Sequence, residues 1–200
     1  MAHKIKAKLA SAIRSDRFAN GATPGGPAKE AGPGSTRPAT PVRVLCVDDH
    51  ELLVEGLKVR FAMDGGLQVV GHLSSAERLV EEVGRLRPEV VILDIEMPGP
   101  DAFESADRLR RKYPDVRVIV LSAHVRDAFI SASFRVGIWG YFAKSDELAD
   151  IIRGVHLVAR SEEPMFLLGP RIQERCRPLP DRMLHSDDRP DALSLGMSPE

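Results

Sequence analysis

Cysteine is nearly missing from this chain. It has two among 200 residues, Cys46 in an apolar run and Cys176 in a polar one. That is neither a disulfide framework nor zinc-ligand spacing, and it suits a reducing cytoplasm, the expected location. Long apolar runs are missing as well. The richest, such as VVILDI, fall far short of the ~20 residues a membrane span requires, so no span is expected. Charge of one sign is also lacking: 28 basic residues against 29 acidic leave a net charge of −1. Such a balance gives no overall field to draw the molecule onto nucleic acid or an anionic membrane, and direct nucleic-acid binding by these residues is not expected.

Residues 1–41 lack material for a core. MAHKIKAKLASAIRSDRFANG is basic and weakly periodic, without the apolar h-region of a secretory signal, and ATPGGPAKEAGPGSTRPATP is a Pro/Gly/Ala linker. The expectation is a disordered tail, with an amphipathic helix for a membrane surface or targeting as the alternative.

From Val42 short β-rich runs alternate with segments of helical period. The runs are VRVLCV (42–47), LQVVGH (67–72), VVILD (90–94), VRVIVLS (116–122) and IWGYF (138–142). Between and after them, apolar residues share a helical stripe: Leu53, Leu57 and Phe61; Ala76, Leu79, Val80 and Val83; Phe103, Ala106 and Leu109; Val125, Phe129, Ala132 and Val136; Leu148, Ile151, Ile152, Val155 and Ala159. Five strand and helix alternations predict a parallel α/β sheet, with the helices as right-handed crossovers. The runs at 90–94 and 116–121 should be buried on both faces. Residues 42–160 thus form the expected domain. Within 161–200 only PMFLLGPRIQERC looks able to pack, giving a short docking segment and a flexible end.

In parallel sheets the loops leaving the carboxyl ends of the strands build the site. Those ends carry Asp48 and Asp49, Asp94, Ser122 and Lys144. Three carboxylates at one edge repel one another unless a cation compensates, and a hard divalent ion, Mg²⁺, suits oxygen ligands that leave room for water. An ion and a lysine beside a carboxylate describe a phosphoryl-transfer site. Asp94 would attack phosphorus, Mg²⁺ and Lys144 would offset charge on the equatorial oxygens, and the Ser122 hydroxyl would donate to one of them. Small Ala123 leaves that approach open.

These residues resemble the receiver domains of two-component response regulators. VLCVDDH is similar to the acidic-pair strand, LDIEMPGPD to the phosphoacceptor strand and loop, LSAH to the hydroxyl switch strand, and GYFAK to the aromatic and lysine strand. VDDHELLVEGL and LSAH resemble the LuxR/NarL-like subtype. The resemblance spans about residues 42–160. It implies a flavodoxin-like, doubly wound (β/α)5 fold, with a five-stranded sheet of order 2-1-3-4-5. It also implies Asp48, Asp49, Asp94 and the Glu96 carbonyl as Mg²⁺ ligands, and Asp94 as the phosphoacceptor with Ser122, Ala123 and Lys144 around it. Ser122 and Tyr141 would be the switch pair. A sensor histidine kinase or phosphotransfer protein would be the phosphodonor. The face of the fourth helix, fifth strand and fifth helix would form a homodimer or dock an output. Its only chemistry would be self-directed phosphotransfer and autodephosphorylation.

Three departures bear on this. Ala102 stands where the family has glycine, which predicts loop strain. Ser145 follows Lys144 where many receivers have proline, which weakens the expectation of a cis peptide, and Trp139 is bulky for the start of the fifth strand. The alternatives are a non-phosphorylated receiver-like scaffold and a fragment of a LuxR-type transcription regulator, since LGMSPE resembles the opening of a helix-turn-helix. A small-molecule phosphohydrolase is disfavoured because Glu96 should point to the other side of the chain from Asp94. His50 and His124 read as rim residues, and RLRRKY (108–113) as a solvated helix face.

Overall fold

A computed structural model describes residues 40–176. The tails expected at residues 1–41 and after Cys176 therefore lie, but for Thr40 and Pro41, outside the described residues. In chain order the elements are β1 (Val42–Val47), α1 (Glu51–Asp64), β2 (Leu67–Leu73), α2 (Leu79–Leu86), β3 (Val90–Leu93), α3 (Ala102–Lys112), β4 (Arg117–Ser122), α4 (Asp127–Val136), β5 (Gly140–Ala143), α5 (Leu148–Arg160), β6 (Leu167–Leu168) and α6 (Pro170–Cys176). All neighbouring strands pair in parallel. The order is β2-β1-β3-β4-β5-β6, the expected five strands plus a sixth at the β5 edge.

Alternation along each strand divides the core into two layers, because successive side chains leave opposite faces of a sheet. Leu45, Val47, Val91, Leu93, Val118, Val120 and Tyr141 face α2, α3 and α4. Val44, Cys46, Val90, Ile92, Ile119, Leu121 and Phe142 face α1 and α5. β3 is buried throughout, as a central parallel strand covered on both sides must be. Gly154 of α5 makes one close approach possible, since a methyl group there would collide with the tip of the Phe142 ring.

Local chemistry sets the helix ends. Gly65 ends α1 at φ 74°, a left-handed conformation that glycine adopts without steric cost, and its N–H donates to the Phe61 carbonyl. Asp101 caps α3 by accepting from the Glu104 N–H at 2.8 Å. The expected strain at Ala102 is not found: Ala102 is the first residue of α3, and the positive φ in this loop falls on Gly99, at 111°. The peptide after Lys144 is trans, as are all the described ones. Arg108, Arg110, Arg111 and Lys112 are exposed along α3, the solvated face expected of RLRRKY.

The stripes of α1 and α4 are rotated from expectation. Val54 rather than Leu53 is fully buried on α1, and α4 buries Ile130 and Ser133 while Val125, Phe129, Ala132 and Val136 are only partly covered.

The segment after α5 returns to the sheet. The Leu167 N–H donates to the Trp139 carbonyl and the Gly169 N–H to the Tyr141 carbonyl, both at 2.8 Å. Ile172 of α6 is buried in the α4 layer. β5 is therefore an interior strand. Trp139 lies beneath the Arg117 guanidinium, 5.1 Å from the ring centre, while Arg117 donates to the carbonyls of Ala159 and Ser161. The bulky residue thus helps anchor the end of α5 to the sheet.

Candidate functional site

Strand register brings the expected residues to one edge. Val47 pairs with Leu93, and the Asp94 N–H donates to the Val47 carbonyl at 2.8 Å, so Asp48 and Asp94 emerge side by side. Ser122 pairs with Ala143, and the Lys144 N–H donates to the Ser122 carbonyl at 2.8 Å.

Asp48 and Asp94 are 3% and 1% exposed, and buried carboxylates need partners. Lys144 Nζ lies 2.8 Å from an oxygen of each. Asp48 Oδ1 also accepts from the His50 N–H at 2.9 Å, and Asp94 Oδ1 from the Glu96 N–H at 3.1 Å. Burial alone would lower the Lys144 pKa, but its hydrogen bonds to Asp48 and Asp94 outweigh that and hold it above the ordinary lysine value.

Asp49 is exposed beside this pair. One oxygen each from Asp48, Asp49 and Asp94, together with a ring nitrogen of His50, lie within 4.8 Å of one another. A single ammonium among three carboxylates leaves an excess of negative charge. The donors are mainly hard carboxylate oxygens on a partly open edge, and this set fits a hard divalent cation.

His50 belongs to this cluster rather than to its rim. Its Nδ1 is 2.9 Å from Asp49 Oδ1, 3.1 Å from Asp48 Oδ1 and 3.2 Å from Lys144 Nζ. Spacing rules did not single it out, although Asp-Asp-His places three potential ligands in succession.

A second group surrounds Ser122. Its hydroxyl accepts from the His124 N–H at 3.0 Å and lies 3.1 Å from the His124 carbonyl. Tyr141 is fully buried and its hydroxyl donates to that same carbonyl at 2.9 Å. Burial pushes the phenol above its ordinary pKa. Ala123 is exposed, leaving space beside the hydroxyl. The Glu96 side chain departs from expectation, since it does not point away from the site edge. Its Oε2 is 3.3 Å from Ser122 Oγ and 2.5 Å from His124 Nδ1, so β3 and β4 loops join here.

This geometry belongs to a chain whose residues 44–156 match the response regulator receiver domain. The chain is a member of that family. Over 117 residues it is 36% identical to the response regulator GacA of Pseudomonas viridiflava, covering 58% of this chain and 55% of that protein. It is 32% identical over 122 residues to the nitrate/nitrite response regulator protein NarL of Escherichia coli K12, covering 61% and 56%. The chain thus spans about half the length of these curated relatives. Among solved structures, the signal receiver domain of the putative response regulator NarL from Mycobacterium tuberculosis is 30% identical with a TM-score of 0.57, covering 61% of this chain and 98% of that one. A LuxR-family response regulator from Aurantimonas sp. SI85-9A1 shares the fold at 23% identity, with a TM-score of 0.63 and 68% and 96% covered.

Proposed function

We propose that this chain is a phosphorylation-dependent signalling switch with Asp94 as the phosphoacceptor. The observation that carries the reading is Lys144 Nζ at 2.8 Å from both Asp48 and Asp94 on one strand edge, with Ser122 on the adjacent strand. A phosphohistidine of a sensor kinase or phosphotransfer protein is the proposed donor. An Asp94 oxygen attacks phosphorus, the P–N bond breaks, and the imidazole leaves with the bonding pair and takes a proton. The product is an acyl phosphate on Asp94.

Lys144 moves little in this scheme, because an ammonium that already touches Asp94 is placed to meet a phosphoryl oxygen. The Ser122 hydroxyl donates to another. Asp48, Asp49 and Asp94, with the Glu96 carbonyl, would hold Mg²⁺, which when bound supplies positive charge against the phosphoryl oxygens. Autodephosphorylation by water is the only other reaction assigned, and a cytoplasmic location accords with a kinase partner.

The new group adds roughly two negative charges and three strong acceptors. Drawing Ser122 toward them alters its contacts with His124, and through the His124 carbonyl it reaches Tyr141. Tyr141 is already inside, so the phosphoryl group would select this arrangement rather than create it. The face of α4, β5 and α5, now including β6 and α6, is the proposed surface for a homodimer or an output partner.

Incubating the chain with a small acyl phosphate and Mg²⁺ and weighing the intact protein tests the assignment. One phosphate should be added to the wild type and none to Asp94→Asn. Equal labelling of the two rejects Asp94.

A further inference from the structure

The turn that presents Lys144 is fastened to the segment beyond the matched family region. Lys144 and Ser145 are its two central residues. At its closing end the Asp146 N–H donates to the Ala143 carbonyl at 2.9 Å, and in the opposite direction the Ala143 N–H donates to Asp146 Oδ2 at 2.8 Å. One residue closes the turn from both sides. Asp146 is only 7% exposed.

Its second oxygen goes elsewhere. Asp146 Oδ1 accepts from the backbone N–H of Arg171 in the first turn of α6, at 3.1 Å, and Arg171 Nε returns a hydrogen bond to the Ser145 carbonyl at 2.9 Å. Gly169 makes this possible, because a methyl group at that position would collide with the Asp146 carboxylate and the Phe142 ring. Thus α6 contacts the lysine turn at both Ser145 and Asp146 through the single residue Arg171, and the β6 ladder fixes α6 against β5.

We propose that Asp146 is a positioning residue that sets the Lys144 ammonium against Asp48 and Asp94, and that the β6–α6 segment is part of this support. The proposal rests on the reading of Asp94 as phosphoacceptor. With Ser145 in a trans peptide, the turn has no proline ring to restrict it, and a two-way hydrogen-bonded carboxylate performs that service. A lysine reaching two carboxylates at once tolerates little displacement, since misplacement of about 1 Å costs up to a hundredfold in rate.

The test measures Asp94 phosphorylation by a small acyl phosphate with Mg²⁺ in the full chain. The variants are Asp146→Ala, Asp146→Asn, Arg171→Ala and Lys144→Ala, with Arg175→Ala as a control on α6 remote from the turn. Asp146→Ala should slow labelling at saturating donor about tenfold. Asp146→Asn, which keeps the shape and one acceptor, should give a smaller loss and guards against a variant that does not fold. Arg171→Ala should cost about threefold through its exposed bond, and Arg175→Ala should match the wild type.

A purely structural role is separated by the double variant. In the Lys144→Ala background, Asp146→Ala should slow labelling no further, because its effect passes through the missing ammonium. Multiplying losses, or a wild-type rate in Asp146→Ala, would overturn the proposal. Hydrogen exchange at the Ala143 amide, followed without any phosphodonor, should accelerate in Asp146→Ala. If the wild type takes no phosphate, the phosphoacceptor reading fails. Accelerated exchange then shows a turn held by Asp146 without the proposed use, and unchanged exchange removes the turn argument itself.

Discussion

Replacing Lys144 with methionine removes one charge and little volume, so it isolates the electrostatic role of the ammonium. Asp48 and Asp94 are buried, and each has an oxygen 2.8 Å from Nζ. A unit charge pair at that separation attracts by about 6 kcal/mol at an effective dielectric of about 20, but desolvation takes back much of it. Removing one partner of a buried pair typically costs about 3–5 kcal/mol. The backbone N–H groups of His50 and Glu96 still serve the carboxylates, and Asp49 lies open to water, which favours the low end. A loss of about 3 kcal/mol corresponds to a fall in Tm of about 6–12 °C for a fold of this size. Thermal unfolding in EDTA, followed by circular dichroism, measures it. Added Mg²⁺ should recover more stability in Lys144→Met than in the wild type, because the ion no longer competes with an ammonium for the same oxygens. A tenfold gain in affinity would appear as about 1.4 kcal/mol of additional stabilisation at saturation. Equal melting of the two proteins in EDTA, with equal responses to Mg²⁺, would refute a charge-balanced cluster.

Other outcomes follow from the packing. Gly154→Ala gains helix propensity of up to about 1 kcal/mol but drives a methyl group into the Phe142 ring, so chemical denaturation should show a net loss of about 1–3 kcal/mol. Burial pushes the Cys46 thiol up to about 12, so at pH 8 a thiol reagent should modify Cys46 only on unfolding, while half-buried Cys176 reacts faster; mass spectrometry of digests distinguishes them. The His156 hydrogen bond, 2.7 Å long, holds the Asp64 pKa below its ordinary value. A depressed carboxylate contributes stability above its unfolded pKa and loses it as pH falls through the folded one. His156→Ala should therefore remove this contribution at neutral pH and flatten the Tm decline below about pH 4; parallel melting curves from pH 7 to 3 would contradict it.

The sheet was legible because its strands are apolar by composition. VVIL needs no partner to announce burial, and its neighbours recur at the spacing of strand-helix units. The gathering of polar residues at one edge was legible for a related reason. A parallel sheet sends every strand end to the same side, so Asp48, Asp94, Ser122 and Lys144 could be gathered without knowing a single distance. Side-chain direction was less accessible. Ser133 occupies a core-facing position on α4 because its hydroxyl donates to the Phe129 carbonyl at 2.9 Å, within its own helix. A search for apolar stripes passes over such a residue and rotates the helix onto Ala132. Glu96 escaped for a similar reason: strand alternation does not extend into the loop, where His124 and Ser122 draw its carboxylate back.

The sixth strand shows where local pattern ends and tertiary structure begins. Leu167 and Leu168 are too few to display a period, and they count as a strand because Trp139 and Tyr141 offer unpaired carbonyls along β5. An exposed strand edge can pair with another chain, and an apolar dipeptide tethered by only six residues after α5 finds its partner nearby. The consequence lies in Asp146. In sequence it is one acid among 29, following Ser145 in a polar loop. It becomes a buried, doubly committed carboxylate only after β6 and α6 have docked, since one of its oxygens serves the lysine turn and the other serves α6. The same docking that removes a bare edge therefore gives the Lys144 turn its second anchor, and a change in one should be felt at the other.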